Sequence, residues 1–524
     1  MSKRQLKRFW VLLVTLIMIF CSVRIFAASD VMANDYQKIV SLPIGIGDGK
    51  IAYTPNIEDI EKRGPESFAV EANGNILILD TIDNQVEEFN KAGEPIKTYQ
   101  LPDELKEFLD IETSGPDSFI VINYVGDVLE YKNGVILNKQ KMDVKEEDHI
   151  AIGLFKDNDD NVLIRSRKSG FDFDIRTGKM KENMDGFKEN LNGKNLELYS
   201  DLQKINIKYT YTPADTYPVF TTKQNEAIIL KSEALLGNSV YVETKLEKYY
   251  NSIKMATALA LPVNSNYDYK VPHKFVYYSK AGDAYQLVLK KDTADIYKLA
   301  FSTKDRTNID VKLISEINPK DISTNEEVSI ADVDGYTAYA NTSPMINYSW
   351  TFNASTMKTP YIPNYTQSPD HLENLSGTSS QTGIPYCWGG AHGDVSACGW
   401  DSYSTALSKG KTAGNIRYEN EEWVNSTAGV DCSGFISVAY RLGYKYNTTG
   451  LYYYFTVGTW NNLSSGCIFD KPGDHVVMYD YPYFSGSTII GYYTRESTTS
   501  GSQDKAKLYS RSLSELSGYY VLHK

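Results

Sequence analysis

Cysteine is scarce in this chain, five among 524 residues, which excludes a disulfide-stapled scaffold. Histidine is nearly as rare, with six, and none has companions at metal-ligand spacing, so no metal or other cofactor is expected. Positive charge is in deficit: 54 Lys and Arg face 66 Asp and Glu, for a formal net charge of -12. Nucleic acid is therefore not an expected partner. Beyond the N-terminal segment no apolar run is long enough to cross a bilayer. What is present is a hydrophobic content of 42%, enough to bury cores throughout. The length exceeds what one core organises and predicts two or three domains.

The first residues carry Lys3, Arg4, Lys7 and Arg8, then an apolar run from Phe9 to Val23, then Ala27, Ala28 and Ser29. That order reads as a secretory signal over residues 1–28. Arg24 ends the run short of the roughly 20 residues that span a membrane, and Phe20 before Cys21 does not suit a lipid anchor. Cleavage would remove five bases and move the formal charge to about -17. The mature chain is expected outside the cell or at its wall. Cys387, Cys398, Cys432 and Cys467 would remain, with at most one bridge among Cys387, Cys398 and Cys467, the pairing being unreadable.

Residues 35–310 form a succession of short apolar strands broken by turns. The clearest unit runs from Glu66 to Tyr99, with strand-like runs at Phe68 to Val70 and Ile76 to Leu79, an Asn73-Gly74 turn and a later turn at Gly93. Weaker echoes recur at roughly 40 to 60 residues, the period of propeller blades. Five visible units plus one blade closed by distant strands suit a six-bladed β-propeller. A pair of stacked β-sandwiches is the alternative. The first unit weakly resembles NHL-type blades, with Asp80 and Asn84 on the turn after its second strand. No catalytic cluster is evident here, and His149 and His273 read as packed or surface histidines. Residues 311–340 turn polar and acidic, as a linker would. Residues 341–524 suit one α+β domain.

Chemistry concentrates in that last part. Cys432 lies in GVDCSGF, residues 429 to 435, and is followed by Phe435, Ile436, Val438, Ala439 and Leu442 at helical spacing before Gly443. A thiol in the first turn of a buried helix meets unpaired N–H groups and the positive end of the dipole, so a depressed pKa is expected. Ser433 and Gly434 leave room for a substrate carbonyl, and the Cys432 N–H would face the oxyanion. Further on, a strand starting at His475 and a second over residues 487 to 498 suit a hairpin. A turn centred near Ser485 and Gly486 sets His475 opposite Glu496, on one face, so that Glu496 orients the imidazole while the other ring nitrogen addresses Cys432. Asp474 is the poorer partner because adjacent strand residues face opposite ways. Upstream, GIPYCWGG, residues 383 to 390, offers the Tyr386 hydroxyl and a Gly pair permitting close backbone approach. His371 and His392 read as solvent-facing.

PYCWGG, then DCSGF with its helix, then a GDHVVMY strand, resembles the NlpC family of cell-wall cysteine peptidases in the papain-like clan, over roughly residues 380 to 500. The resemblance implies Cys432 as nucleophile, His475 as base and Glu496 as orienting residue. It also places Tyr386 beside the oxyanion site, with Asp431 and Ser433 flanking the nucleophile and recognising the stem-peptide amine in some members. It implies cleavage of peptidoglycan stem peptides through an acyl-enzyme without a metal. Two departures stand out: about 40 residues separate Gly390 from Asp431, either rimming the cleft or forming a structural excursion, and the third position is acidic. The expected function is an exported peptidase or amidase whose propeller docks the enzyme or restricts access. The alternatives are a non-catalytic wall-binding or adhesion protein and an acyl transferase.

Overall fold

The computed structural model describes residues 36–156, 161–166, 171–175, 179–182, 190–192, 195–199, 204–221, 226–304, 307, 333–417, 423–485 and 488–524. The expected signal segment, and the expected linker as far as residue 332, lie outside the described residues.

The N-terminal half is propeller-like. Ser67–Val70, Ile76–Asp80, Gln85–Phe89 and Pro95–Gln100 pair in sequence order as one antiparallel sheet. Its turns fall at Gly74 and Gly93, both at positive φ, as the sequence predicts. The two inner strands are buried along their whole length while the outermost is largely exposed. That gradient arises because each sheet is covered on both faces near the axis, so inner strands read as continuous apolar runs. Phe108–Gly115 through Val135–Lys141 repeat the pattern, as do Ile152–Lys156 through Lys179–Glu182.

The innermost strands stand side by side in a ring: Ser67–Val70, Phe108–Gly115, Ile152–Lys156, Thr212–Thr221, Val276–Tyr278, and back to Ser67–Val70. Among the described residues the ring thus has five sheets, not the six expected. The reason is the closure: Tyr36–Pro43 pairs antiparallel with Thr293–Leu299 and completes the fifth sheet instead of adding another. A three-stranded sheet, Asn190–Asn192 with Asn195–Tyr199 and Lys204–Lys208, sits outside this ring, with Ile205 and Ile207 packed on Ile229.

The C-terminal part begins earlier than residue 341, at helix Val333–Ile346, which packs on helix Cys432–Ala439. Its centre is a six-stranded sheet in the order Thr456–Val457, Tyr520–His523, Ile468–Lys471, His475–Ser485, Thr488–Thr498, Lys505–Ser512. Phe435, Ile436 and Ala439 of the helix share a core with Val476, Met478 and Leu522 on one face. On the other face Val477, Phe469 and Val521 pack against Ala234, Val240 and Val242 of the ring. The sheet is therefore sandwiched between its own helix and the ring. That second interface holds the two halves in contact.

Candidate active site

The site is assembled around the N-terminus of helix Cys432–Ala439, whose eight residues are all buried. Asp431 caps it: Oδ1 accepts from the Gly434 N–H at 2.6 Å and from Ser433 Oγ at 3.2 Å. Asp431 Oδ2 accepts from the Gly389 N–H at 2.8 Å and pairs with Lys445 Nζ at 3.0 Å. The DCSG and Gly-pair motifs are thus one packing unit. A Cβ at Gly434 would collide with Gly390 O, and one at Gly390 with Gly429 O, so these positions admit only glycine. Burial pushes the Asp431 carboxyl up to about 6, against the pull of Lys445 and with a contribution from Asp59.

His475 opens its strand and reaches Glu496 on the neighbouring one, Nε2 to Oε2 being 2.9 Å. The expected register was two residues off. Ser485 pairs with Thr488, and Met478 with Arg495, with bulges at Tyr479/Tyr481 and Tyr483/Phe484. His475 thus lies past the last pair of that ladder. An even displacement keeps both residues on one face, which is why the contact survives the slip. Behind Glu496 stands Arg511, donating from Nη2 at 2.5 Å and from Nε at 3.1 Å. Burial pushes the Glu496 carboxyl up, but Arg511 outweighs it and holds the group at about 2. Arg511 is the residue the sequence reading missed. The third strand, Lys505–Ser512, sets Lys507 directly opposite Glu496 and carries Arg511 on the same face, so alternation alone would have left more than one cation to choose from.

The cleft is filled. Between the first closing strand and the first ring sheet the chain forms a loop over residues 55–62, pinched at its neck where Thr54 N–H donates to Arg63 O and Arg63 N–H donates to Thr54 Oγ1, at 2.9 and 2.7 Å. This strap carries Ile57-Glu58-Asp59-Ile60-Glu61 into the C-terminal part. Asp59 O accepts from the Tyr386 hydroxyl at 3.1 Å and from Cys432 Sγ at 3.6 Å. The thiol hydrogen bond thus goes to the strap and not, as expected, to the imidazole. Ile60 packs on Tyr386 and Trp388. Asp59 lies in the left-handed region at φ 63.

The expected depression of the Cys432 pKa is reversed. Burial pushes the thiol well up, Asp59 and Asp431 add to it, and the Val476 N–H, next to His475, opposes. The helix dipole cannot prevail in a site closed to water and flanked by two acids.

The other candidate residues have partners of their own. Asp474 accepts from Lys62 N–H at 2.9 Å and pairs with Lys471 at 2.7 Å. Trp388 Nε1 donates to Glu58 O at 3.4 Å. Ser433 Oγ also takes a hydrogen bond from Lys445 Nζ at 2.9 Å. His149 is buried between Tyr124 and Tyr509, and His273 Nε2 lies 2.8 Å from Ile152 O. His392 is not solvent-facing: it is buried against Trp400 and Trp423, and His371 is only partly exposed. The insertion after Gly390 returns along the PYCWGG segment, Trp388 N–H donating to Asn415 O at 3.0 Å and Asn415 N–H to Tyr386 O at 3.0 Å. No disulfide joins Cys387, Cys398, Cys432 and Cys467. Among the described residues no cluster of His, Cys, Asp and Glu is arranged to hold a metal, and no helix is long and apolar enough to cross a membrane.

No family model and no curated protein matches the chain. Solved structures similar to it include a member of the DUF4221 family from Bacteroides vulgatus, at 11% identity over 51% of this chain and 99% of that one, with a TM-score of 0.33. A streptogramin B lyase matches at 10% identity over 51% and 98%, TM-score 0.29. BamB from Moraxella catarrhalis matches at 10% over 52% and 99%, TM-score 0.24. These neighbours are propeller-like.

Proposed function

We propose that the chain is an exported cysteine peptidase or amidase that hydrolyses peptidoglycan stem peptides, with the ring docking the enzyme or restricting access to its cleft. The observation that carries this reading is that one peptide oxygen, Asp59 O, is within reach of both Cys432 Sγ and the Tyr386 hydroxyl. A substrate carbonyl in that position has a nucleophile beside it and an oxyanion donor on it. Segments far apart in sequence meet at that point, and His475 with Glu496 follows on the adjoining strands.

In the proposed reaction the His475 Nε2–H stays on Glu496, leaving Nδ1 as the base. Nδ1 takes the Cys432 proton, and the sulfur adds to the carbonyl carbon while the oxyanion rests on Tyr386. The tetrahedral adduct collapses with cleavage of the C–N bond, the imidazolium giving its proton to the leaving amine. Water, deprotonated by the same nitrogen, then resolves the thioester to a carboxylic acid and free thiol. Arg511 keeps Glu496 ionised; its Nη2 also lies 3.3 Å from His475 Nε2, and the Glu496 carboxylate offsets that like charge when the imidazolium forms.

The test is a digest of purified muropeptides by a chain with its strap loosened, Glu58→Ala with Asp59→Gly, with and without Cys432→Ala. New free amines released only when Cys432 is present support the reading. Equal muropeptide binding with no product from either would overturn it.

A further inference from the structure

The strap enters the cleft with its main chain where a peptide substrate would lie and with its acids matched to the cleft's cations. Arg511 is shared between Glu496 and Glu61 of the strap. Lys445 is shared between Asp431, at 3.0 Å, and Asp59 of the strap, at 3.3 Å. In each case the C-terminal part supplies one acid and the strap supplies a second. Withdrawal of the strap therefore leaves Arg511 with Glu496 and Lys445 with Asp431, so no buried cation is stranded.

The strap's other contacts are of the reversible kind. Asp59 Oδ1 accepts from the Thr448 N–H at 2.9 Å, and Glu58 from the Thr449 N–H at 3.1 Å and Asn447 Nδ2 at 2.9 Å. Asn56, near its neck, is exposed and Glu58 half-buried. The neck at Thr54 and Arg63 closes the loop before Ser67–Val70, the first strand of the ring sheet that follows.

We propose that residues 57–60 are an intramolecular competitor for the peptide groove. The folded chain is latent, its nucleophile covered by a substrate-like segment of its own ring half, and the cleft opens when that segment is drawn out. Calling the strap a competitor rests on the peptidase reading, whereas its role as a removable cover does not. A peptide that displaces it must offer a carbonyl to Cys432 and Tyr386, and an acidic side chain beside that carbonyl would meet Lys445 as Asp59 does.

The experiment reads cover and chemistry separately. Iodoacetamide alkylation of Cys432, followed by mass spectrometry of its peptide, is compared for the full chain, Glu58→Ala/Asp59→Gly, and a second variant, Ile60→Ser, which loses the contact with Tyr386 and Trp388. Circular dichroism reports folding, and muropeptide turnover is followed in parallel. The native full chain is expected to react at least 100-fold more slowly than in urea, and the variants at least tenfold faster than the native chain. A native thiol that reacts at the urea rate overturns the proposal without any variant, as do folded variants that react no faster than the full chain. Faster alkylation with turnover supports both the strap and the peptidase. Faster alkylation without turnover keeps the removable cover and overturns the competitor role together with the peptidase reading.

Discussion

The Lys274 cluster of the ring and the cleft of the C-terminal part hold their buried charge in different ways. In the ring, Lys274 sits between Asp110 and Glu112, at 2.8 and 3.5 Å, both from one inner strand of the same ring. At the cleft, Arg511 and Lys445 each divide their charge between an acid of their own half and an acid of the strap. The first arrangement is closed within one half and stabilises a shape. The second spans two halves, so its balance survives when one partner leaves. The difference teaches where to look for change: a charge system shared across a groove can be opened, while one closed on itself unfolds with its sheet.

The largest expected effect is chemical. In the strap-loosened chain, Cys432→Ala should lower amine release by at least about 10⁴-fold, measured by mass spectrometry of digested muropeptides in protein that circular dichroism shows to be folded. A ring substitution such as Phe89→Ala, at a position with no exposed surface, should leave turnover per folded molecule unchanged. If turnover falls in proportion with the ring mutation, the division of labour between the halves is wrong.

Next comes stability. Arg511→Met removes the cation between Glu61 and Glu496, and leaving buried carboxylates unpaired is expected to cost about 3–5 kcal/mol in urea unfolding. Phe89→Ala should cost a similar amount, about 3–5 kcal/mol, through a cavity. In the strap-loosened chain the two separate on function: the arginine variant should lose turnover even where it is folded, and the phenylalanine variant should not.

Acid should weaken the C-terminal part. Glu496 is held at about 2, below its usual 4.5, so its contribution to stability is whole above the unfolded value and is lost as pH falls through 4.5 towards 2. For a depressed carboxylate this loss has an upper size of about 3 kcal/mol. The check is thermal unfolding between pH 6 and pH 2.5 in the native chain and in Glu496→Gln, where this component of the acid sensitivity should be missing. The smallest effect is on rate: Glu496→Gln in the strap-loosened chain should keep the ring orientation but lose the carboxylate's hold on imidazolium, for about a tenfold drop in turnover, or roughly 1.4 kcal/mol.

Much of this was legible in the sequence, for local reasons. The turns at Gly74 and Gly93 and the apolar runs of the ring follow from short-range patterning. The helix at Cys432 follows from apolar residues at helical spacing up to Gly443, while its cap by Asp431 came only with the structure. Glu496 was found as the partner of His475 although the hairpin register was two residues off, because parity decides the face and the slip was even. What could not be read was long-range closure. The strand Tyr36–Pro43 meets its partner some 250 residues away, which among the described residues gives the ring five sheets instead of the expected six. The strap was missed because the acids of Ile57-Glu58-Asp59-Ile60-Glu61 acquire meaning only beside Lys445 and Arg511. The thiol's raised pKa follows from that same unseen cover.

The account stands or falls on the pairing of sulfur and imidazole once the strap is loosened, and the pH profile of Cys432 alkylation reads that pairing directly. In Glu58→Ala/Asp59→Gly the thiol should react well below the ordinary cysteine value of about 8.5, and adding His475→Ala should return its midpoint to that value or above. A midpoint near 8.5 that is the same with and without the histidine would contradict the account.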